Sequence, residues 1–169
     1  LYTAAQTRAL DHCAIHDHGI PGIVLMSRAA DAAFRCLLDT WPQPQRLQVL
    51  CGTGNNGGDG FLIADLAHKR GIEVVVSQVG DADKIAGDAL LAWQQALANG
   101  VNIVAFGEQA LVPEGVIVDA LLGTGLGGDV RGDYIHAIEA INTCRAPVLA
   151  VDIPSGLCSD TGRVLGLAV

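Results

Sequence analysis

Three glycine-containing segments hold the residues of this sequence that are best suited to bind a ligand or to do chemistry. The first is CGTGNNGGDG at positions 51–60, which contains the spacing G-x-G-x-x-G together with Asn55, Asn56 and Asp59. Glycines let backbone N–H groups approach an anion closely, and the start of a following helix adds partial positive charge. The segment therefore favours an anionic ligand such as a phosphate, and a tight turn without a ligand is the alternative.

The polar residues of this segment set it apart from two common nucleotide-binding loops. No Gly-Lys-Ser/Thr follows the glycines, so the segment is not a Walker loop. The next predicted strand ends at Ser77-Gln78-Val79, without the acidic residue that binds the ribose in ordinary NAD-binding folds. Asparagine and aspartate supply oxygen ligands and amide donors, which favours a small ligand or a hard cation. A Rossmann dehydrogenase is therefore the less favoured interpretation.

The other two segments each place an aspartate at the end of a predicted strand. Asp119 follows the run VIV and precedes ALLGTGL, and Asp152 follows LAV and precedes IPSG. The carboxyl ends of strands line the ligand crevice in an open α/β sheet, so we expect the loops at 52–59, 119–128 and 152–156 to converge on one face. Either aspartate alone could be a loop cap, but the combination with the asparagine-rich loop favours a site.

The residue types suggest separate roles within such a site. Asn56, Asp119 and Ser155 could offer oxygen atoms to a monovalent cation, because a divalent ion usually recruits more carboxylates. Asp152 precedes Pro154 at a strand tip and could act as a general acid or base once it is partly desolvated. The stretch around Ser155, PSGL, is not G-x-S-x-G, which argues against a hydrolase nucleophile.

Histidines and cysteines indicate no second site. The five histidines fall in predicted helices or at their ends, and His12 and His16 are spaced like a zinc pair but have no evident third ligand. The five cysteines are odd in number and include no CxxC, which is typical of small buried thiols in a cytoplasmic protein rather than of disulfides or metal ligands.

Composition excludes several classes of protein. Half of the 169 residues are hydrophobic, 21 are glycine, and the net charge is −8. The acidic balance disfavours nucleic-acid binding. Apolar runs are interrupted well before the roughly 18 residues that a membrane span needs, and the first residues, LYTAAQTRALDH, do not read as a signal peptide. The chain begins with Leu1 rather than Met, which suggests a trimmed or partial chain.

The elements that must position these segments alternate in type. A first helix is predicted from Tyr2 to about His18, closed by Gly19, and a second begins at Pro21. The apolar face of the second helix comprises Ile23, Met26, Ala30, Ala33, Phe34 and Leu37. Beyond it we predict strands at 46–51, 72–79, 101–106, 115–120 and 147–152. The remaining helices are predicted at 61–71, where the helix is amphipathic, at 83–99, with a stripe of Ala86, Leu90, Trp93 and Leu97, and at 133–144.

This alternation predicts the class of the fold. Strands joined by helices or long crossovers pair in parallel, and continuous Val/Ile/Leu strands are covered on both faces. We therefore expect one domain over residues 1–169, a Rossmann-like three-layer α/β/α sandwich with a mostly parallel central sheet and two N-terminal helices. The final residues, VLGLAV, are interpreted as the start of a further strand, which leaves the C-terminal edge of the domain incomplete.

The three segments together resemble the NAD(P)H-hydrate epimerase family, also called the YjeF N-terminal domain. The resemblance is carried by GTGNNGGDG, DALLGTGL and VDIPSGL, and HGIPGIVLM at 18–26 is similar to the helix opening of that family. The resemblance implies an isomerase that interconverts the R and S forms of hydrated NADH and NADPH. It also implies a homodimer, bound K+, and an ADP- or ATP-dependent dehydratase that acts on the S form and is fused or separate.

The same resemblance implies roles for individual residues. Asp152 is the expected catalytic residue. The metal ligands would be Asn56, Asp119 and Ser155. Substrate contacts would come from the loops, and those residues are Asn55, Asn56, Gly57, Gly58, Asp59, Gly123, Thr124, Gly125, Leu126, Gly127, Gly128, Asp129 and Asp152.

Two departures from the family pattern stand out. The family commonly has Glu-Asn-Ala-Gly after the Leu-Met pair, and this chain has Ser27-Arg28-Ala29-Ala30. After SGL the family often has an aspartate, and this chain has Cys158-Ser159. A non-catalytic nucleotide-binding or protein-interaction module on the same fold is the alternative function, since a fold alone does not confer activity. The presence of both carboxylates and the asparagine pair favours the enzyme.

Overall fold

The computed structural model describes residues 2–169, and its elements follow the predicted alternation of strands and helices. The helices are α1 (Ala4–His12, continued by a π-helical turn over Cys13–Asp17), α2 (Gly22–Thr40), α3 (Asn55–Lys69), α4 (Gly87–Ala98) and α5 (Asp133–Thr143). The strands are β1 (Arg46–Cys51), β2 (Glu73–Gln78), β3 (Asn102–Ala105), β4 (Val116–Ala120) and β5 (Val148–Ala150). The predicted order of elements is thus confirmed.

The central sheet has five strands in the order β3-β2-β1-β4-β5, and all of its pairs are parallel. Leu47, Val49 and Cys51 of β1 pack with α2, α3 and α4 on one face, whereas Leu50 packs with α5 on the other. The three-layer α/β prediction is therefore confirmed. All five carboxyl ends meet at one edge, and β1 and β4 lie side by side where the direction of strand order reverses.

The N-terminal helices are close to their predicted positions. Helix α2 begins directly after Pro21, and Met26, Ala30, Phe34 and Leu37 of its predicted apolar face are buried. The first helical segment ends at Asp17, and Gly19 follows with φ +64°, a conformation that glycine adopts without strain. No helix among residues 2–169 has both the length and the apolar character needed to cross a membrane.

Helix α3 differs from its prediction, because it begins at Asn55 rather than Phe61. Gly57, Gly58 and Gly60, which together with Gly52 and Gly54 indicated a turn, lie inside its first turns, where neighbours leave no room for a side chain. A Cβ on Gly57 would collide with the carbonyl oxygen of Gly52, and one on Gly58 would lie 2.7 Å from Sδ of Met26. Helix α3 is also buried on several sides instead of amphipathic. It is the central helix of its layer, packed against α2, α4 and the sheet.

Helix α4 also begins later than predicted, at Gly87 rather than Asp83. Residues 82–84 form a separate short 3-10 turn, and the backbone is extended at Ile85 and Ala86. The buried face comprises Ala89, Ala92 and Ala96, so the predicted stripe is rotated, with Ala86 and Leu97 exposed.

The final residues do not form the predicted strand. Val164 makes one antiparallel bridge with Leu157, and the chain then folds back over the loop that follows β5. The N–H of Leu165 donates to the carbonyl of Gly156 at 2.8 Å, and that of Val169 donates to the carbonyl of Ser155 at 3.0 Å. These bonds satisfy backbone groups that a sheet would otherwise have paired, and they fix the position of Ser155.

Candidate active site

The loops that follow β1, β4 and β5 line one cavity of about 640 Å³ at the carboxyl edge of the sheet. The predicted convergence of the three loops is therefore correct. The predicted site residues that line this cavity are Asn55, Asn56, Asp59, Gly123, Thr124, Gly125, Leu126, Gly127 and Asp152. The others lie behind or beside it: Gly57, Gly58, Asp119, Gly128, Asp129 and Ser155 are not in its wall.

Asp119 and Ser155 form a fully buried pair beneath the cavity. The backbone N–H of Ser155 donates to Asp119 Oδ2 at 2.8 Å, and the Ser155 hydroxyl donates to Oδ1 at 2.6 Å. The N–H of Leu122 donates in turn to Ser155 Oγ at 2.9 Å. Burial raises the pKa of Asp119, although the hydrogen bonds from Ser155 and Leu121 oppose that effect. The pair joins the loop after β4 to the loop after β5.

Asp152 is exposed to the cavity and is oriented by the glycine loop. Its Oδ2 accepts a hydrogen bond from the N–H of Thr124 at 2.8 Å. A Cβ on Gly123 would lie 2.5 Å from that oxygen and 3.4 Å from Cβ of Asn56. The absence of a side chain at Gly123 therefore leaves room for Asn56, at the start of α3, and for Asp152, in the loop after β5.

Asp59, in α3, is the more buried of the two cavity carboxyls that the sequence analysis identified, so the desolvation predicted for Asp152 is found there instead. Burial raises the pKa of Asp59 to about 7, and the negative charges of Asp152 and Asp11 add to the effect. Near neutral pH the cavity therefore holds a carboxyl group that gains and loses a proton easily.

Asn56 is the cavity side chain whose unpaired polar atoms best fit a bound ligand. It is buried in the first turn of α3, and neither its Oδ1 nor its Nδ2 has a hydrogen-bond partner within the described chain. An unpaired buried polar group costs about 1 to 3 kcal/mol. No basic side chain in residues 2–169 forms an ion pair with Asp119 either. Buried amide and carboxylate oxygens without a counter-charge fit a monovalent cation such as K+.

The glycines around the cavity have two different roles. Gly52 and Gly57 allow two backbone segments to lie close together, because a Cβ on Gly52 would collide with the carbonyl oxygen of Leu121 and one on Gly57 with that of Gly52. A Cβ on Gly125 or Gly127 would meet nothing within 4 Å. The N–H groups of these two residues also donate to no acceptor in the part of the chain that the structure describes. The loop after β4 thus lines the cavity and has unpaired backbone donors, as an anion-binding loop does.

Several cavity residues carry no motif and were missed by the sequence analysis. Helix α1 contributes Thr7, Arg8 and Asp11 to the wall, and their spacing on one helix face is the only signal that could have indicated them. Ala29 of α2, in the segment that departs from the family pattern, lines the same cavity. Tyr134 reaches over from α5, with its hydroxyl 3.3 Å from the N–H of Thr53.

Other titratable clusters do not compete with this cavity. All five histidines are exposed, and the rings of His12 and His16 are 4.2 Å apart without a third ligand nearby. Within residues 2–169 no group of three or more His, Cys, Asp or Glu side chains could hold a metal ion, and the five cysteines are free.

Comparison with known proteins gives the same family that the loops resemble. Residues 22–169 match the family model described as YjeF-related protein N-terminus. The chain is 45% identical over 169 residues to the bifunctional NAD(P)H-hydrate repair enzyme Nnr of Coxiella burnetii. That alignment covers all of this chain but only 34% of the relative. The chain is 39% identical over 168 residues to the NAD(P)H-hydrate epimerase of Limosilactobacillus fermentum, covering 99% of this chain and 80% of that one.

A solved structure shares the fold. The crystal structure of yeast YNL200c superposes with a TM-score of 0.84 at 21% sequence identity, covering 94% of this chain and 72% of the yeast chain.

Proposed function

The chain belongs to the family of the YjeF-related protein N-terminus, and on that premise we propose that it is an NAD(P)H-hydrate epimerase, which interconverts the R and S forms of hydrated NADH and NADPH. The observation that carries the proposal is the pair of carboxyl groups in one cavity, Asp59 with a pKa of about 7 and Asp152 exposed beside it. Asp59 can donate a proton while Asp152 accepts one, and reversible acid–base chemistry requires such a pair.

We propose that the two carboxyl groups carry out the inversion at C6 of the hydrated nicotinamide. A proton moves from Asp59 to the C6 hydroxyl, the C6–O bond breaks, and water leaves while the N1 lone pair forms a C=N bond to C6. Water then adds to the opposite face of C6, the electron pair returns to N1, and the Asp152 carboxylate takes the proton. Proton exchange with solvent restores both groups. The bond from Thr124 N–H holds Asp152 in place for this step.

Substitution of Asp152 tests this proposal. Asp152→Asn keeps an oxygen that can accept from Thr124 but cannot take a proton, so we expect epimerisation to fall about 100-fold or more. The measurement is chromatographic separation of the R and S forms over time. Asp39→Asn changes the charge equally at an exposed position of α2 away from the cavity, and it is the matched control. Unchanged activity in Asp152→Asn would remove Asp152 from the mechanism, whereas a wild-type chain that binds but never epimerises would favour the non-catalytic module.

The proposal includes K+ bound by Asn56, Asp119 and Ser155. Its support is the Asn56 amide, which has no hydrogen-bond partner in the described chain, and the buried Asp119 carboxylate, which has no positively charged partner there. When bound, the ion supplies positive charge next to a phosphate-bearing substrate. Asn56 has two functional atoms, so its Oδ1 would face the cation and its Nδ2 would be free to donate to the substrate.

The proposal also includes the assembly of the protein and its place in a reaction sequence. A homodimer is expected from the family resemblance. An ADP- or ATP-dependent dehydratase would consume the S form, and the match to a relative named as bifunctional supports a fused arrangement as one form of it.

A further inference from the structure

The charged side chains around the cavity are a poor match for a substrate that carries phosphate groups. The ionisable side chains in its wall are Arg8, Asp11, Asp59 and Asp152, so three of the four are acidic, and Asp59 adds negative charge whenever it is deprotonated. The chain as a whole has a net charge of −8. A dinucleotide brings at least two phosphate charges into this field, and like charges repel. Arg8 is the one side chain of the described cavity wall that can offset the repulsion with positive charge of its own.

Arg8 is available to bind a phosphate group. Its side chain is exposed at the cavity and forms no ion pair with any carboxylate of residues 2–169. It shares a helix face with Thr7 and Asp11, and all three line the cavity. The guanidinium group presents five N–H donors in a planar fork that matches phosphate oxygens.

The helix that carries Arg8 is fixed to the rest of the domain. Thr3 and Gln6 form reciprocal capping bonds at its start, and the N–H of Ala4 donates to Asp160 Oδ1 at 2.8 Å. Ala4 itself is buried. Since Arg8 lies one turn after Ala4, its backbone is held near the cavity by contacts that do not involve the ligand. With the backbone already in place, only the Arg8 side chain has to be ordered when a ligand binds.

Other parts of the cavity wall supply neutral donors of the kind that a phosphate group also needs. The free N–H groups of Gly125 and Gly127 lie in the loop after β4, and the start of α3 faces the same cavity at Gly54 and Asn55. Backbone donors bind a phosphate but leave its charge uncompensated unless a cation is near.

We propose that Arg8 binds a phosphate group of the dinucleotide substrate, so that α1 forms a phosphate-recognising wall of the active site. The inference rests on the proposed function for the identity of the ligand. Helix α1 precedes residue 22, where the match to the family model begins, whereas the three loops of the site lie within the matched residues. Because an arginine side chain stays protonated and exchanges no proton with the substrate, we expect Arg8 to act on substrate affinity rather than on the chemical step.

The test compares Arg8→Ala and Arg8→Lys with Arg145→Ala. Alanine is a good helix former, so Arg8→Ala preserves α1. Arg145 is exposed, lies outside the cavity and carries the same charge, so its replacement controls for the change in net charge. Kd for equilibrated hydrated NADPH and hydrated NADH is measured by calorimetry at low and high salt, and KM and kcat are measured by epimerisation.

We expect Arg8→Ala to weaken binding about tenfold, which corresponds to the loss of one charged hydrogen bond at an exposed site. KM should rise by the same factor with kcat within about twofold, and the dependence of Kd on salt should become shallower. Arg8→Lys should recover part of the affinity, because lysine keeps the charge but not the fork. A loss confined to hydrated NADPH places Arg8 at the 2′-phosphate, and an equal loss for both substrates places it at the pyrophosphate.

The contrary results separate this inference from the proposed function. Binding that is equal in Arg8→Ala and Arg145→Ala overturns the inference alone, as does a fall in kcat with Kd unchanged. If the wild-type chain binds the nucleotide but does not epimerise it, and Arg8→Ala weakens that binding, the proposed function is overturned and the phosphate site stands. A wild-type chain that binds neither substrate overturns both.

Discussion

The carboxyl group of Asp59 links the chemistry of the cavity to the stability of the fold. It lies in α3, partly withdrawn from water, with Asp152 and Asp11 close enough to act on its charge. A carboxyl group in such a place favours its neutral form, and the folded protein therefore binds a proton that the unfolded chain would release. The same property that suits Asp59 to proton transfer makes the fold less stable when the proton is lost.

Asp59→Asn tests this link through the pH dependence of unfolding. The folded pKa of about 7 exceeds the ordinary value of 3.8, so the stabilisation is complete below pH 4 and is lost as pH rises through 7. We expect the wild-type free energy of unfolding to fall over this window, with roughly 2 to 4 kcal/mol of the fall due to Asp59. Urea unfolding at pH 5 and pH 8 measures the difference.

In Asp59→Asn most of that fall should disappear, and Asp39→Asn should keep it. Asp119 also has a raised pKa, so a smaller slope of the same sign remains in the variant. A slope in Asp59→Asn equal to that of the wild type would contradict the assignment.

Asn56 supports a second prediction at the level of one side chain. Asn56→Leu replaces an unpaired buried amide with an apolar group of similar size, which is often neutral or stabilising. Without K+ we therefore expect the variant to be at least as stable as the wild type. K+ at ten times its Kd should stabilise the wild type by about 1.4 kcal/mol and leave Asn56→Leu unchanged.

The measurement is thermal unfolding in potassium chloride against choline chloride at equal ionic strength. Asn102→Leu, at an exposed position of β3, is the control and should keep the full response to K+. An equal response in Asn56→Leu would show that Asn56 is not a ligand.

Among the elements, α3 does most to shape the site, because it places Asn56 and Asp59 while passing close to a strand-end loop and to two neighbouring helices. Its glycines have low helix propensity, by about 1 kcal/mol relative to alanine. A sequence pattern that considers propensity alone therefore assigns them to a turn. The close contacts of Gly57 with Gly52 and of Gly58 with Met26 come from distant parts of the fold, and tertiary packing outweighs propensity here.

Alanine at these glycines should reveal that balance. In Gly57→Ala the new Cβ meets the Gly52 carbonyl, which cannot move without shifting the loop, so we expect a loss of about 3 kcal/mol despite better propensity. Gly58→Ala meets the flexible end of Met26 but also Ala89 Cα at 3.0 Å, and we expect a loss of about 1 to 2 kcal/mol.

Gly54→Ala is the matched control, since its Cβ would meet nothing within 4 Å. It should cost less than about 1 kcal/mol, the scale of a change at a helix N-cap. Urea unfolding of the three variants gives the ranking. A Gly57→Ala protein as stable as the wild type would mean that the loop after β1 can open without cost.

For the whole molecule, the sequence was sufficient to predict the layers, the parallel strands and the meeting of three loops. The hydrophobic periodicity of an element and the glycines or prolines that end it can be seen in a short stretch of sequence. Val/Ile-rich runs between helices then leave few alternatives to a buried parallel sheet. The face of α4 that is buried was not predictable from its own residues, because Ala89, Ala92 and Ala96 are apolar but no more so than Leu90 and Leu97. The packing of α4 against its neighbours, mainly α3, decides between them.

The approach of α1 to the site is likewise a property of the assembled chain. From the sequence, Thr7, Arg8 and Asp11 are expected on the solvent-facing side of a surface helix, because threonine, arginine and aspartate are mostly exposed in folded proteins. The hydrogen bond from Ala4 to Asp160 joins α1 to a segment near the other end of the chain, and in the folded molecule that face lines the cavity. Sequence patterns of one helix carry no information about such a partner.

The position of β1 in the sheet has a consequence for how the protein acquires its structure. β1 pairs with β2, which follows soon after it, but also with β4, where Leu47 meets Val116 far along the chain. Pairings between distant segments close late in folding because the intervening chain must be ordered first. The cavity lies across that junction and needs the loops after β1, β4 and β5 together. A partly folded chain can contain its first helices and strands and still have no site. The number of dinucleotide-binding sites in a sample is therefore expected to equal the number of molecules that have completed folding.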